Sequence, residues 1–194
     1  MVNIHKFNYE IKKGLSTPNI LGNEPLMTDK EKDCILTYLK PDYVMFEWGS
    51  GGSTLYFPQF VKKYISIEHQ MHWFKHIRNN LRKIKVINKK VIMKYIPEDM
   101  RYDYSDEEWK YEWFKTYINS IETFGIDKYD VVLIDGENRT RGFCAEKSLE
   151  YIDSDSIIII HDYYKRPKLK YIEKYYNVIE KIEDGATMVV LKKK

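Results

Sequence analysis

The chain has 194 residues, 43% of them apolar, and carries 32 basic against 29 acidic groups for a formal charge of +3; that is enough for one α/β domain with a real core, and too slight a basic excess for a dedicated nucleic-acid binder. Its two cysteines, Cys34 and Cys144, stand far apart and outside any C-x-x-C pattern, which argues against a disulfide framework or a cysteine zinc site and fits a reducing compartment. Residues 1–14 hold no apolar signal core and no segment reaches the ~18 apolar residues that span a bilayer, so a soluble, cytoplasmic protein without a membrane partner is expected.

Residues 1–27 read as an irregular extension with Pro18 and Pro25. Thr28 followed three residues later by Glu31 is a capping-box pattern, and Ile35, Leu36 and Leu39 continue at helical spacing to Pro41. Residues 1–40 are thus an N-terminal extension and helix ahead of a main domain over 41–194, the whole forming a single domain. A first strand over 43–48 runs into Gly49, Gly51 and Gly52, with a helix from about Ser53 to Phe60. A second strand, 64–68, ends on Glu68 and is followed by a helix through Trp73, Phe74 and Ile77; 91–95 makes a third.

The stretch 99–125 is acidic and aromatic, with Trp109, Tyr111, Trp113, Phe114 and Tyr117, and reads as a lid or acceptor-recognition element. Residues 129–136 form a fourth strand of the fully buried kind, leading into a helix through Cys144, Ala145 and Leu149. The run Ile157 to Ile160, closed by His161 and Asp162, is a fifth, apolar as a central parallel strand requires. A helix around Leu169 to Tyr175 precedes a closing hairpin that pairs 178–182 with 187–191 across Glu183, Asp184, Gly185 and Ala186. The alternation predicts a doubly wound, mostly parallel sheet ending in an antiparallel hairpin.

Ligands of such sheets bind beyond the carboxyl ends of the strands. Four of the five parallel strands end in or beside an ionisable residue: Glu47, Glu68, Asp135, and His161 with Asp162. Glycine permits positive φ and close backbone approach, so the loop after the first strand is a candidate ligand wall. Glu68 lies nineteen positions after Gly49, near the separation at which an acid meets a ribose. The loop lacks both G-x-G-x-x-G and the P-loop pattern, and Glu47 beside it repels a pyrophosphate but suits a cationic amine.

These residues resemble the class I S-adenosylmethionine-dependent methyltransferases. Glu47-x-Gly49-x-Gly51 looks like their first motif, Glu68 like the acid ending strand two and Asp135 like the acid ending strand four. The terminal hairpin resembles their reversed last pair, which implies a Rossmann-like seven-stranded sheet of order 3-2-1-4-5-7-6. More narrowly, three stretches are similar to small glycan or secondary-metabolite O-methyltransferases. They are the loop from Glu47 to Thr54, the run Ser66 to His69 with Trp73, and Ile134-Asp135-Gly136 with Arg139, Cys144 and Ala145. His161-Asp162-Tyr163 with Arg166 and Tyr171 fits the same branch. The resemblance implies a cofactor held by Gly49, Ser50, Gly51, Ser53, Thr54, His69 and Asp135, with Glu47 on its amino group, Glu68 on its ribose and Tyr95 beside its adenine.

Methyl transfer from a sulfonium to a hydroxyl needs an aligned acceptor and a base. His161 is the candidate base, since histidine titrates near neutrality; Asp162 orients it or acts instead, and Asp135 completes the catalytic set. By similarity to the catechol-type enzymes, Asp135 and Asp162 are also candidate ligands for Mg²⁺ or another divalent cation, although Tyr163 stands where those enzymes have Asn and is a poor Mg²⁺ ligand. Arg139, Tyr163 and Arg166 are candidate substrate-binding residues, and Arg141 shares the loop of Arg139. His69, His72 and His76 fall at i, i+3 and i+7, read as one surface helix face. The favoured function is O-methylation of a small molecule, a sugar or glycan hydroxyl first, with no nucleic-acid partner and homo-oligomers left open. A phenolic or amine acceptor, or a non-catalytic cofactor-binding scaffold, are the alternatives.

Overall fold

The computed structural model describes residues 24–84, 89–100, 111–183 and 187–194. The extension before residue 24, Trp109 and the turn residues Asp184, Gly185 and Ala186 lie outside the described residues. In chain order the elements are α1 (Asp29–Tyr38), β1 (Val44–Trp48), α2 (Gly52–Tyr56), β2 (Lys63–Glu68), α3 (Met71–Lys83), β3 (Val91–Tyr95), α4 (Lys115–Asn119), β4 (Val131–Ile134), α5 (Arg141–Ser148), β5 (Ile157–His161), β6 (Tyr176–Ile182) and β7 (Met188–Lys193). The seven strands form one sheet of order β3-β2-β1-β4-β5-β7-β6, parallel from β3 to β5 and antiparallel where β7 meets β5 and β6. This is the expected topology.

Strand side chains alternate between faces, and both faces of the central strands are apolar, so both must be covered. Met45, Tyr64, Val131, Leu133 and Ile159 pack beneath α1 and the 3₁₀ turn Phe57–Phe60. Phe46, Trp48, Ile65, Val132, Ile134 and Ile160 pack on the opposite side, against Phe114, Tyr117, Ile118, Cys144, Ala145 and Leu169. The Trp48 indole donates to the Tyr117 carbonyl at 2.9 Å, which fixes α4 over the end of β1. Thr28 and Glu31 form the expected capping box at the start of α1. Among the described residues no helix is long and apolar enough to cross a membrane.

Two expected helices differ in kind. The helix after the glycine loop stops at Tyr56 and continues as 3₁₀ turn, because Pro58 has no N–H to give the carbonyl four residues back. The segment before β6 is a 3₁₀ helix, Pro167–Lys174, with Leu169 and Ile172 buried; a spacing of three serves a three-residue turn. The aromatic stretch, where described, breaks into α4 between two 3₁₀ turns, Tyr111–Phe114 and Ser120–Phe124. Trp113, Phe114 and Tyr117 of that stretch are buried in the core.

At the carboxyl edge β1 and β4 turn away glycine against glycine. Gly49 has φ +94°, and a Cβ there would sit within 2.7 Å of the Asp135 carbonyl carbon and closer still to Gly136. Both the left-handed backbone and the contact with main chain exclude a side chain. Gly49→Ala is therefore expected to destabilise the fold by about 2–4 kcal/mol, read as a lower urea midpoint with an unchanged m-value.

Candidate active site at the strand ends

Glu47 points to the α1 side of the sheet and is 0% exposed. Its Oε1 accepts the Ser53 hydroxyl. Its Oε2 accepts the hydroxyls of Thr54 and of Ser66, its register partner on β2, each at 2.6 Å. Thr54 in turn accepts the Gly51 amide at 3.0 Å. Burial pushes the Glu47 carboxyl up to about 7, against the downward pull of the three hydroxyls. Its oxygens are engaged inside the fold, so Glu47 shapes the loop from behind. Ser53 and Thr54 likewise spend their hydroxyls on Glu47.

Glu68 ends β2, nearly buried, and holds the loop from the other side. Its Oε2 accepts the Ser50 amide at 3.1 Å and its Oε1 the Gln70 amide at 2.7 Å. The Trp73 indole donates to the Ser50 carbonyl at 2.6 Å. Between the ends of β1, β2 and β4 lies a cavity of about 250 Å³, lined by Gly49, Ser50, Glu68, Asp135, Gly136 and Glu137 among others. A second cavity, of about 300 Å³, shares Gly49, Ser50, Trp73 and Asp135 and is closed by residues 24–27, with His76 and Ile77 on its α3 side. Gly52 admits that closing segment: a Cβ there would strike the Glu24 and Pro25 main chain. The two cavities are adjoining halves of one cleft.

The ends of β4 and β5 carry a charged array. Asp135 Oδ1 is 3.2 Å from His161 Nδ1, and His161 Nε2 faces Glu31 Oε1 of α1 at 3.4 Å. Burial pulls the His161 pKa down, but the hydrogen bond and charge of Asp135, with Glu31 and Asp162, outweigh it and hold the imidazole above its ordinary value. Behind this pair Arg141, only 4% exposed, reaches Asp135 at 3.2 Å and Asp162 at 3.6 Å, and donates to the carbonyls of Gly136 and His161. Arg166 contacts Asp162 Oδ2 at 3.3 Å and donates to Asn138 Oδ1.

No family model and no curated protein matches the sequence. Solved structures do resemble the chain. A methyltransferase-like protein from Silicibacter pomeroyi superposes with a TM-score of 0.63 at 22% identity, covering 88% of each chain. The precorrin 8w decarboxylase of Methanobacterium thermoautotrophicum gives 0.59 at 11% identity over 92% of this chain and 95% of its own. A Streptococcus mutans structure named as a candidate methyltransferase, in complex with SAH, gives 0.57 at 12% identity over 81% and 92%. With the strand order, these likenesses settle the architecture. The fold is that of the Rossmann-like methyltransferases.

In this methyltransferase fold the cleft residues fit the cofactor that the resemblance implies. The lining of the 250 Å³ cavity holds three carboxylates, Glu68, Asp135 and Glu137, and no Lys or Arg. His69 lines the same cavity with its Nδ1 3.2 Å from Glu68 Oε1, and the Tyr117 hydroxyl is buried without a hydrogen-bond partner. A divalent cation fits less well. Asp135, His161 and Asp162 offer ligand atoms within 4.8 Å of one another, yet Arg141 is shared between both carboxylates, and Arg166 and Lys165 also hold Asp162. A metal ion there would sit against a fixed guanidinium.

Other expected residues scatter. Tyr163 is buried and its hydroxyl donates to Glu173. Asp162 at φ 54° turns the chain away from the cleft just before it. Tyr95 packs on Phe74. The Arg139 guanidinium stays beside Glu137, at 4.0 Å. Of the three histidines, His72 and His76 are exposed on α3, whereas His69 precedes the helix and packs edge-on against Phe114 and Tyr117. Glu31, read from sequence only as a capping residue, and Ser66, read only as part of a resembling stretch, also join the site. Glu31 lies on the inward stripe with Ile35 and Leu39, and Ser66 is a small hydroxyl residue between two buried isoleucines, so both left a trace.

A glutamate whose folded pKa is raised favours the protonated fold. Its contribution is present below the ordinary value of about 4.5 and is lost as the pH climbs to about 7. Glu47→Gln is thus expected to gain stability relative to wild type between pH 4.5 and 7, measured by urea unfolding across that range. Glu31→Gln removes one of the anions facing His161, and the His161 imidazole, followed by NMR, is expected to titrate at lower pH than in wild type.

Proposed function

We propose that the protein is an S-adenosylmethionine-dependent O-methyltransferase acting on a sugar hydroxyl. One observation carries the reading: the cavity at the glycine loop is walled by Glu68, Asp135 and Glu137 and lacks a cation in its lining. Such a site repels a pyrophosphate and attracts a sulfonium bearing an ammonium. Glu68 is placed to accept the ribose hydroxyls with lone pairs left over from its two amide bonds. The SAH complex of a structural neighbour supports the same cofactor.

The bound cofactor supplies an electrophilic methyl group. The protein's part is to align the acceptor and take its proton. Asp135 lines both halves of the cleft, so it would lie between a cofactor held in one and an acceptor held in the other. An acceptor hydroxyl that takes up a methyl group would become acidic enough to give its proton to a nearby carboxylate. Asp135 accepts that proton. His161 lies behind it, hydrogen-bonded and held toward the imidazolium by its anionic neighbours, where it positions Asp135 rather than acting as the first base. Arg141 supplies the fixed positive charge at the paired acids, so the chemistry runs without a metal ion.

Calorimetric titration is expected to give stoichiometric binding of S-adenosylmethionine, and no binding would end this reading. Methyl transfer is expected to be unchanged by EDTA. Asp135→Asn should lower kcat by about 10²–10⁴-fold.

A further inference from the structure

The charge of this chain is unevenly placed. Between Glu68 and Glu98 the sequence has eight Lys or Arg residues and no Asp or Glu, while the rest of the chain holds 24 basic against 29 acidic groups. The near-neutral total therefore conceals a strongly basic stretch. Much of it is α3, whose buried residues are Phe74, Ile77 and Leu81. Lys75, Arg78 and Arg82, at i, i+3 and i+7, form one exposed stripe, with Lys83 beside it.

Several lysines elsewhere are paired: Lys32, Lys115, Lys128, Lys147, Lys165 and Lys174 each have a carboxylate within 4.0 Å. Among the described residues Lys75, Arg78, Arg82 and Lys83 have none. Lys83 contacts only the Asn80 amide oxygen, and Arg78 lies over the Phe74 ring. Four unpaired cations on one helix repel each other unless something anionic lies along them.

The same helix begins at the cleft. Trp73, 37% exposed, and His76 stack with ring centroids 5.3 Å apart at 18°, and both line the 300 Å³ cavity that ends at Asp135. Because the Trp73 N–H is already spent on Ser50, its ring is held as a fixed platform. A basic track leading to stacked aromatic faces is how single-stranded nucleic acid is held. From Trp73 to Arg82 the helix rises about 14 Å, room for a short run of backbone phosphates.

Building on the sugar-hydroxyl reading above, we propose that α3 docks single-stranded RNA, with phosphates along Lys75, Arg78 and Arg82 and one nucleoside turned past Trp73 and His76 toward Asp135. The acceptor is then a ribose hydroxyl. Its oxygen bonds to the cofactor's methyl, the sulfonium leaves as a neutral thioether, and the proton goes to Asp135.

The test is fluorescence anisotropy of a labelled 12-nucleotide RNA over a series of KCl concentrations, without cofactor, so that it stands apart from the calorimetric test of the cofactor reading. Wild type is expected to bind, and the triple variant K75Q/R78Q/R82Q to bind at least about tenfold more weakly at 50 mM salt. Its salt slope should be shallower by about 2, at about 0.7 for each phosphate left without its cation. R78K/R82K, which keeps the charge, should bind like wild type. Equal binding by the triple variant, or tighter binding of phosphatidylglycerol vesicles or dextran sulfate than of RNA, would overturn the proposal. Labelled methyl should pass to the RNA and not to DNA of the same sequence; transfer to both would remove the ribose assignment.

Discussion

A carboxyl group shut away from water organises the carboxyl edge of this sheet. Glu47 has no solvent contact, yet three hydroxyls from two segments of chain converge on it: Ser53 and Thr54 from α2 and Ser66 from β2. Left unsatisfied, such a group would cost several kcal/mol in the core. The hydroxyls are therefore committed to their positions, and with them the path of the glycine loop. Glu68 repeats the device from the ligand side by holding the Ser50 amide. The loop is fixed between two acids, one hidden and one facing the cleft, before any ligand arrives. A site preorganised in this way spends little of its binding energy on ordering itself.

Much of the architecture was legible in the sequence because buried parallel strands leave blunt signals. The apolar runs closed by Glu47, Glu68, Asp135 and His161 marked both the sheet and its working edge. The direction of each side chain was less legible. Glu47 and Glu68 look alike as strand-end acids, and only the strand alternation and the register with Ser66 place one inside and the other at the cleft. Arg139 and Arg141 look alike as loop cations. Arg141, however, stands three, four and seven residues before Cys144, Ala145 and Ser148, the buried face of α5, and so turns inward. Tyr163 left the site because the left-handed Asp162 before it redirects the chain.

Net charge was the coarsest of the sequence signals. A total of +3 averages over the chain, whereas recognition depends on where unpaired charges lie. Pairing within the array at β4 and β5 also changes what its members do. His161, set between two carboxylates, is held toward the charged form, and Arg141 between Asp135 and Asp162 takes the place that the two acids alone would suggest for a metal.

Glu31 serves two structures at once. One oxygen closes the first turn of α1 through Thr28, and the other faces His161 at the end of β5. The start of α1 and the end of a strand more than a hundred residues later thus share one carboxylate. Local fraying of α1 cannot remain local: when that turn opens, His161 loses a counter-charge and the wall over the larger cavity loosens in the same event. Helix opening and site integrity form a single cooperative unit, so the amides of the first turn of α1 should exchange with solvent in step with those at the end of β5.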